Sequence, residues 1–514
     1  MKLNRVRVPS LLAFCFLFLF LINGAQIIAS CEAQARDLVV AYESDPDTLD
    51  LLSVRHGPTA IPVAINVMDY LCETTPDGEL IPGLATEWRL SPDKLSLEFT
   101  LRKGVKFHSG DPLTTEDVVF SYNRIKEKTM ATEFRWVKGI EVIDDYTFKV
   151  LFTRPDVLFL KSRGFPIGSK KYYERVGEDR FIKEVVGTGP YKVKDWKAGS
   201  YLDLERFDDY WGKTPEIQKV RFRFVREDTT RVAMLQAGEA DMITSTPYPM
   251  VDTLEQAGYK TVKLPAHPTT QVQFQALNPN VPWYDKRVRL AIAHAIDGDA
   301  IVKNLFHGIP ERVWLSPWEV GYDPDLKLYE YDPEKSKKLL AEAGYAKGFE
   351  MPLYYWAGRT TGQKETTEAV ALYLNAIGIK CNIIGWEPVK MIEAIRTKWH
   401  GKKDAVYVGV ATPPIANQVD PVNGLRTSYW SESTISLYDN PELDKVFLQA
   451  IQEFNDAKRA ELIKKALRII RDDVATVPIW ANVSVYAMKK DIEFTPTFRV
   501  MNAEVKVRDI HVME

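Results

Sequence analysis

From residue 37 to the end, short strand patterns alternate with helix patterns, and no low-complexity tract or short-period repeat interrupts them. That order restricts the chain to sheets covered by helices, an α/β or α+β architecture. LVVAY (38–42) reads as a buried strand, and LSLEFTLR (95–102) alternates as a half-exposed strand does. TTEDVVFSYNRIKE (114–127) reads as a helix opened by Thr114 and Asp117 in a capping-box pattern. IEVIDDYTFKVLF (140–152) is strand, turn and strand, while LDLERF (202–207) and KVRFRFV (219–225) alternate again. A helix over 229–242 is stopped by Gly238. The second half is richer in helix. One helix is expected over 285–306, a capped one over 332–344 and a long amphipathic one over 455–475. A helix over 367–379 leads into a strand at 380–386.

At 514 residues the chain is too long for one core, so two to four domains are expected. The first ten residues carry Lys2, Arg5 and Arg7, and residues 11–22 are twelve unbroken apolar residues. Such a run is too short to span a bilayer and has the length of a secretory signal core. No later stretch reaches the ~20 apolar residues of a membrane span, so the mature protein is expected to be soluble or anchored at its start. Two processing sites stay open. Ile28-Ala29-Ser30-Cys31 resembles a lipobox, in which Cys31 takes a lipid, and Ala33-Gln34-Ala35 fits ordinary signal peptidase. The signal is therefore 1–30, or ends at 35. Without its three cations the 67 basic residues fall to 64 against 70 acidic ones. An acidic mature chain of this kind has no nucleic-acid footprint.

Enzyme signatures are missing. Gly212-Lys213-Thr214 has the end of a phosphate loop, but Phe207 stands where its first glycine belongs. Gly187-Thr188-Gly189-Pro190 lacks the third glycine of a dinucleotide loop and reads as a tight turn. The seven histidines are scattered without metal-ligand spacing, and no C-x-x-C pair occurs. No metal or cofactor is expected. After the signal and junction, Cys72 and Cys381 remain, and two free buried thiols are the expected state. Paired glycosidase carboxylates leave no sequence spacing to test, so a secreted glycoside hydrolase remains the rival reading.

Four segments together resemble one family. They are 83–121 (GLATEWRL…TTEDVVFS), 187–213 (GTGPYKVKDWKAGSYLDLERFDDYWGK), 278–301 (NPNVPWYDKRVRLAIAHAIDGDAI) and 331–345 (YDPEKSKKLLAEAGY). In order and spacing they resemble the family 5 solute-binding proteins of bacterial ABC importers, the peptide/nickel class. The resemblance implies a two-lobed periplasmic-binding-protein fold of α/β type with an additional domain, its mixed sheets flanked by helices, and a hinge between the lobes. Lobe I would be 37–66, 187–265 and 485–514, with 67–186 as its additional domain, and lobe II would be 266–484. It also implies a non-enzymatic, monomeric, exported receptor. Its default ligand would be a dipeptide or oligopeptide, with oligosaccharides, metal chelates or a sensory role as alternatives. Its partners would be a membrane permease and its ATPase subunits.

For the ligand site the resemblance points to 407–425. Asp420-Pro421 matches the family's stretch, but Asn417 stands where peptide-binding relatives carry the Asp for the α-amino group. A buried ammonium loses several kcal/mol without an anionic partner. Arg359 falls near the place of a ligand-carboxylate Arg, a role its two-pronged guanidinium suits. Trp386 falls near an aromatic wall, and Tyr248, Arg55 and His56 lie where loops would border the cleft. Each of these residues has a plain packing or loop role as its alternative. The lipobox reading makes one expectation concrete. Palmitate labelling of the exported chain should occur and be abolished by Cys31→Ala, whereas an unlabelled N terminus at Arg36 would establish ordinary cleavage.

Overall fold

A computed structural model describes residues 37–513 apart from 47, 54–64, 76–78, 129–133, 163, 358–361, 388–389, 391–392, 395–405, 411–419, 434–435 and 497–504. The largest element is a ten-stranded sheet. Its order is Ile379–Trp386, Phe349–Trp356, Val406–Val410, Lys260–Phe274, Thr476–Met488, Met242–Ile243, Leu38–Tyr42, Lys219–Phe224, Tyr201–Arg206 and Tyr191–Lys197. Its fourth and fifth strands in this order, Lys260–Phe274 and Thr476–Met488, are its longest, at 15 and 13 residues, and they pair antiparallel. The ladder runs from Lys260 opposite Met488 to Gln273 opposite Thr476, with an irregularity between Pro265 and Thr269. Proline lacks the N–H of a regular ladder, which accounts for a break there.

The buried apolar residues divide on either side of that break. One cluster joins Leu38, Val40, Leu202 and Phe222 to Tyr486 and Ile510. A second gathers Val272, Trp283, Ile292, Leu353, Leu374 and Trp480. The first cluster continues into a four-stranded antiparallel sheet, ordered Ala85–Leu90, Ser96–Leu101, Thr147–Phe152 and Val137–Asp144. Ser96–Leu101 and Thr147–Phe152 alternate buried and half-buried positions, as their sequence pattern requires. Phe99 stacks on Phe148 between them at 5.3 Å.

Local sequence accounts for most element ends. The helix Thr115–Lys128 begins where the Asp117 carboxylate accepts the Thr114 N–H at 2.9 Å. The helix Pro333–Glu342 starts at Asp332, which caps Lys335 N–H, and is followed by Gly344 at φ +90°. The helix Asp228–Gln236 ends before Gly238 at φ +77°, shorter than the sequence pattern suggests. The single helix expected over 285–306 is two, Lys286–Ala295 and Gly298–Phe306. Ile296 is extended, and Asp297 caps the second helix by accepting the Ala300 N–H at 2.9 Å. A short acid that bonds its own downstream backbone starts a helix more readily than it continues one.

Segment 187–190 does bend, but its glycines answer a different need from the expected tight turn. A Cβ on Gly187 would lie 2.0 Å from the Val67 carbonyl oxygen, and one on Gly189 would meet the same peptide. Close backbone approach, not left-handed backbone, demands glycine here. His108 locks the contact. Its Nε2 lies 2.9 Å from the Gly189 carbonyl, and its Nδ1 lies 3.3 Å from the Gly187 N–H. Cys72 and Cys381 are both free, the first buried and the second half-buried, and burial pushes each thiol up to about 12.

Burial lowers the His108 imidazole to about 4. Its folded pKa lies below its unfolded one, so the unfolded chain binds the extra proton between those values. Stability from this site is therefore complete above about pH 6.5 and is lost as pH falls toward 4, on the order of 1–3 kcal/mol. His108→Gln, which can still donate to Gly189, should flatten that acid-side slope in urea denaturation at pH 4.5–7.

Candidate functional site

Strand direction locates the site. Leu38–Tyr42 runs parallel to Lys219–Phe224 and to Met242–Ile243. Met242 pairs with Met488 and Ile243 with Ala487, so this group advances along the ladder toward Val483. On the other side Phe349–Trp356, Ile379–Trp386 and Val406–Val410 are parallel to one another. Val406 pairs with Phe274 and Val410 with Thr270, so this group advances toward the same point from the opposite end. Two sets of carboxyl-terminal strand ends thus converge on the middle of the long ladder. Ligands of open α/β sheets bind outside such ends.

Tyr248 stands at that point. Its hydroxyl donates to the Val483 carbonyl at 3.0 Å and accepts the Val483 N–H at 3.3 Å. Its ring meets Phe306 edge-on at 5.7 Å, and burial pushes its phenol up to about 12. Phe306 in turn lies 4.7 Å from Trp480 on the long strand. Trp386 ends its strand in register with Trp356 and tilts on Tyr354 at 4.8 Å. The Lys390 ammonium sits 4.5 Å over the Trp386 ring.

Asp420 is the N-cap of the helix Pro421–Tyr429. Its Oδ1 accepts the Val422 N–H at 2.9 Å, and its Oδ2 pairs with Arg459. The Arg459 side chain has no exposed surface, and its Nε donates to the Ala450 carbonyl at 2.9 Å. Both carboxylate oxygens of Asp420 are thus engaged by its own surroundings. Asn417, Arg359, His56 and Cys31 lie outside the described residues.

Sequence reasoning missed the charges around Asp420. Asp156 caps Val157–Leu160 through the N–H groups of Leu158 and Phe159. Burial pushes its carboxyl up to about 6 against the pull of Arg426 and Arg459. Glu319 accepts the Ser316 N–H at 2.7 Å. Burial raises its carboxyl well above the usual range, and the nearby Asp420 adds to the rise. A signal existed for Arg459. In the helix Asp456–Asp472 it shares the buried stripe of Ile463, Ala466, Leu467 and Ile470. An arginine on an apolar stripe announces a buried partner.

This charged cluster lies beside a seam between the region of the four-stranded sheet and the helices after 420. Trp136 and Leu158 join the buried cluster of Val422, Trp430 and Phe447. Arg135 pairs with Glu432 at 2.9 Å and Lys161 with Asp456 at 2.8 Å. Among the described residues no group of three His, Cys, Asp or Glu side chains could hold a metal, and no helix is long and apolar enough to cross a membrane.

Residues 79–435 match the model of the bacterial extracellular solute-binding proteins, family 5 middle region. The chain belongs to this family. Its relatives include the dipeptide-binding protein of Escherichia coli K12, 27% identical over 518 residues, covering 91% of this chain and 94% of the other. Heme-binding protein A of Haemophilus influenzae is 30% identical over 453 residues, covering 78% and 79%. Among solved structures, the periplasmic binding protein DppA of Helicobacter pylori in complex with the peptide STSA superposes with a TM-score of 0.81. It is 25% identical, and the match covers 94% of this chain and 100% of that one. The fold of this family 5 protein is the two-lobed one of periplasmic binding proteins.

Removing one member of a buried ion pair strands the other and costs about 3–5 kcal/mol. Arg459→Met should therefore lower stability by that order in urea denaturation. The double change Arg459→Met with Asp420→Asn should cost clearly less than the two single changes added together.

Proposed function

We propose that this family 5 protein captures a small organic solute, by default a dipeptide or oligopeptide, between its two lobes. It then presents the closed form to a membrane permease whose ATPase partners supply the energy. The observation that carries the reading is the convergence of both sets of carboxyl strand ends on the middle of one ladder. A peptide is favoured by the relatives that bind one in E. coli and H. pylori. Asn417 in place of an acid, together with the heme-binding relative, favours a non-peptide solute as the second reading.

The lobes in this reading are 37–66, 187–265 and 485–514 with the additional domain 67–186, and 266–484. The ladder irregularity between Pro265 and Thr269 supports a hinge near 266. Closure is a population shift, because the solute contacts both lobes only in the closed form. Trp386 would supply an apolar wall and Tyr248 the floor at the ladder. Asn417, Arg359 and His56 would add polar contacts to the solute, and Asp420 would act by fixing the start of the helix Pro421–Tyr429. The protein would catalyse nothing, carry no cofactor, and work as a monomer in the periplasm, either free or held through a lipid on Cys31.

A thermal-shift screen of the mature protein tests the reading. At 100 times its Kd a ligand adds about 2.7 kcal/mol to stability, a shift of several degrees. Di- to pentapeptides should raise Tm. A shift given only by oligosaccharides, haem or metal chelates would replace the peptide, and turnover of a chromogenic glycoside would overturn the receptor reading itself.

A further inference from the structure

A peptide or other cationic solute leaves one question of charge open. Asp420 spends both oxygens on Val422 and Arg459, and position 417 is Asn. An ammonium taken out of water needs a carboxylate elsewhere in the site.

Glu43 immediately follows Leu38–Tyr42, among the converging carboxyl ends. Its Oε2 accepts the Thr244 hydroxyl, which comes from the neighbouring strand end. Its Oε1 is shut off from solvent and accepts no hydrogen bond. Two residues beyond Thr244, Thr246 is 3% exposed, and its hydroxyl is also without a partner. The Thr246 N–H is held by the Val485 carbonyl at 2.8 Å, which places it at the ladder beside Val483 and Tyr248.

The nearby cation feels the charge of Glu43 but gives its hydrogen bonds elsewhere. Arg231 donates to the carbonyls of Thr244, Val225, Arg226 and Ser245, and so spends its guanidinium on the backbone of the same loops. A buried carboxylate oxygen and a buried hydroxyl left unpaired are each destabilising, the charged group more so. A donor arriving with the solute would relieve both.

We propose that Glu43, assisted by Thr246, is the subsite that takes a protonated amino group of the solute. This rests on the capture reading above and assigns the ligand's cationic end to lobe I. An ammonium has three donors, enough for Oε1 and the Thr246 oxygen together. Glutamine at 43 keeps the shape and a bond to Thr244 but removes the charge.

The test compares a free-amino peptide that binds the wild-type protein with its N-acetylated form, by titration calorimetry on wild type and Glu43→Gln. Wild type should prefer the free amine, and Glu43→Gln should weaken the free peptide at least tenfold while leaving the acetylated one unchanged. Equal losses for both peptides, or no loss for either, would overturn the assignment, because a structural role or a bound water would then account for Oε1. Should Glu43→Gln fail to fold, Thr246→Val is expected to weaken the free peptide severalfold more than the acetylated one, and equal effects would refute the subsite. Should no peptide bind wild type, the peptide reading fails separately. The same comparison then runs on diamines and polyamines, and the absence of any cationic ligand would overturn the present proposal.

Discussion

The antiparallel pairing of Lys260–Phe274 with Thr476–Met488 is the interaction on which the remaining structure depends. Two segments more than 200 residues apart in sequence form one ladder, and each half of it serves as the template for a different group of parallel strands. Because those groups attach from opposite ends, their carboxyl edges approach each other. Their meeting at the middle is a geometrical consequence of register rather than of any one side chain. The proline break near 266 lies at the same place, so the ladder pairing is interrupted where the strand ends converge.

Loops at such edges carry backbone groups with no strand to pair with, and buried arginines satisfy many of them. Arg231 binds four carbonyls on the loops after Lys219–Phe224 and Met242–Ile243. At the opposite end of the ladder, where Thr476 pairs with Gln273, Arg289 likewise binds the carbonyls of Trp283, Tyr284, Asp473 and Val474. A planar, always-charged group with five donors suits this task better than lysine. The arrangement exchanges hydration of the cation for several charge-assisted bonds, and around Arg231 it fixes loop shape at the converging strand ends.

Elements governed by neighbouring residues were legible. Thr114 with Asp117, Asp332 with Pro333, and Gly344 mark helix ends by local capping, and the alternation in 95–102 fixes which side of a strand is buried. The break at Ile296 was hidden because apolar spacing continues across it, while the acid that starts the next helix resembles a surface residue. The reason for Gly187 was equally out of reach, since it depends on Val67, 120 positions earlier. Of the candidate site residues, Asp420 was named by resemblance, but its commitment to Arg459 was not visible. Glu43 drew no notice at all, because one acid after a strand has no sequence signature.

The sequence by itself determined the alternation of strands and helices, most helix caps, and membership of the family through four ordered segments. These are properties of neighbouring residues or of motif order, and they survive without coordinates. Only the tertiary structure decided which strands share the long ladder, in which direction each group meets it, and which buried charges already have partners. Those depend on contacts across hundreds of residues. A carboxylate's availability is set by the donors around it in space, and chain order does not record them.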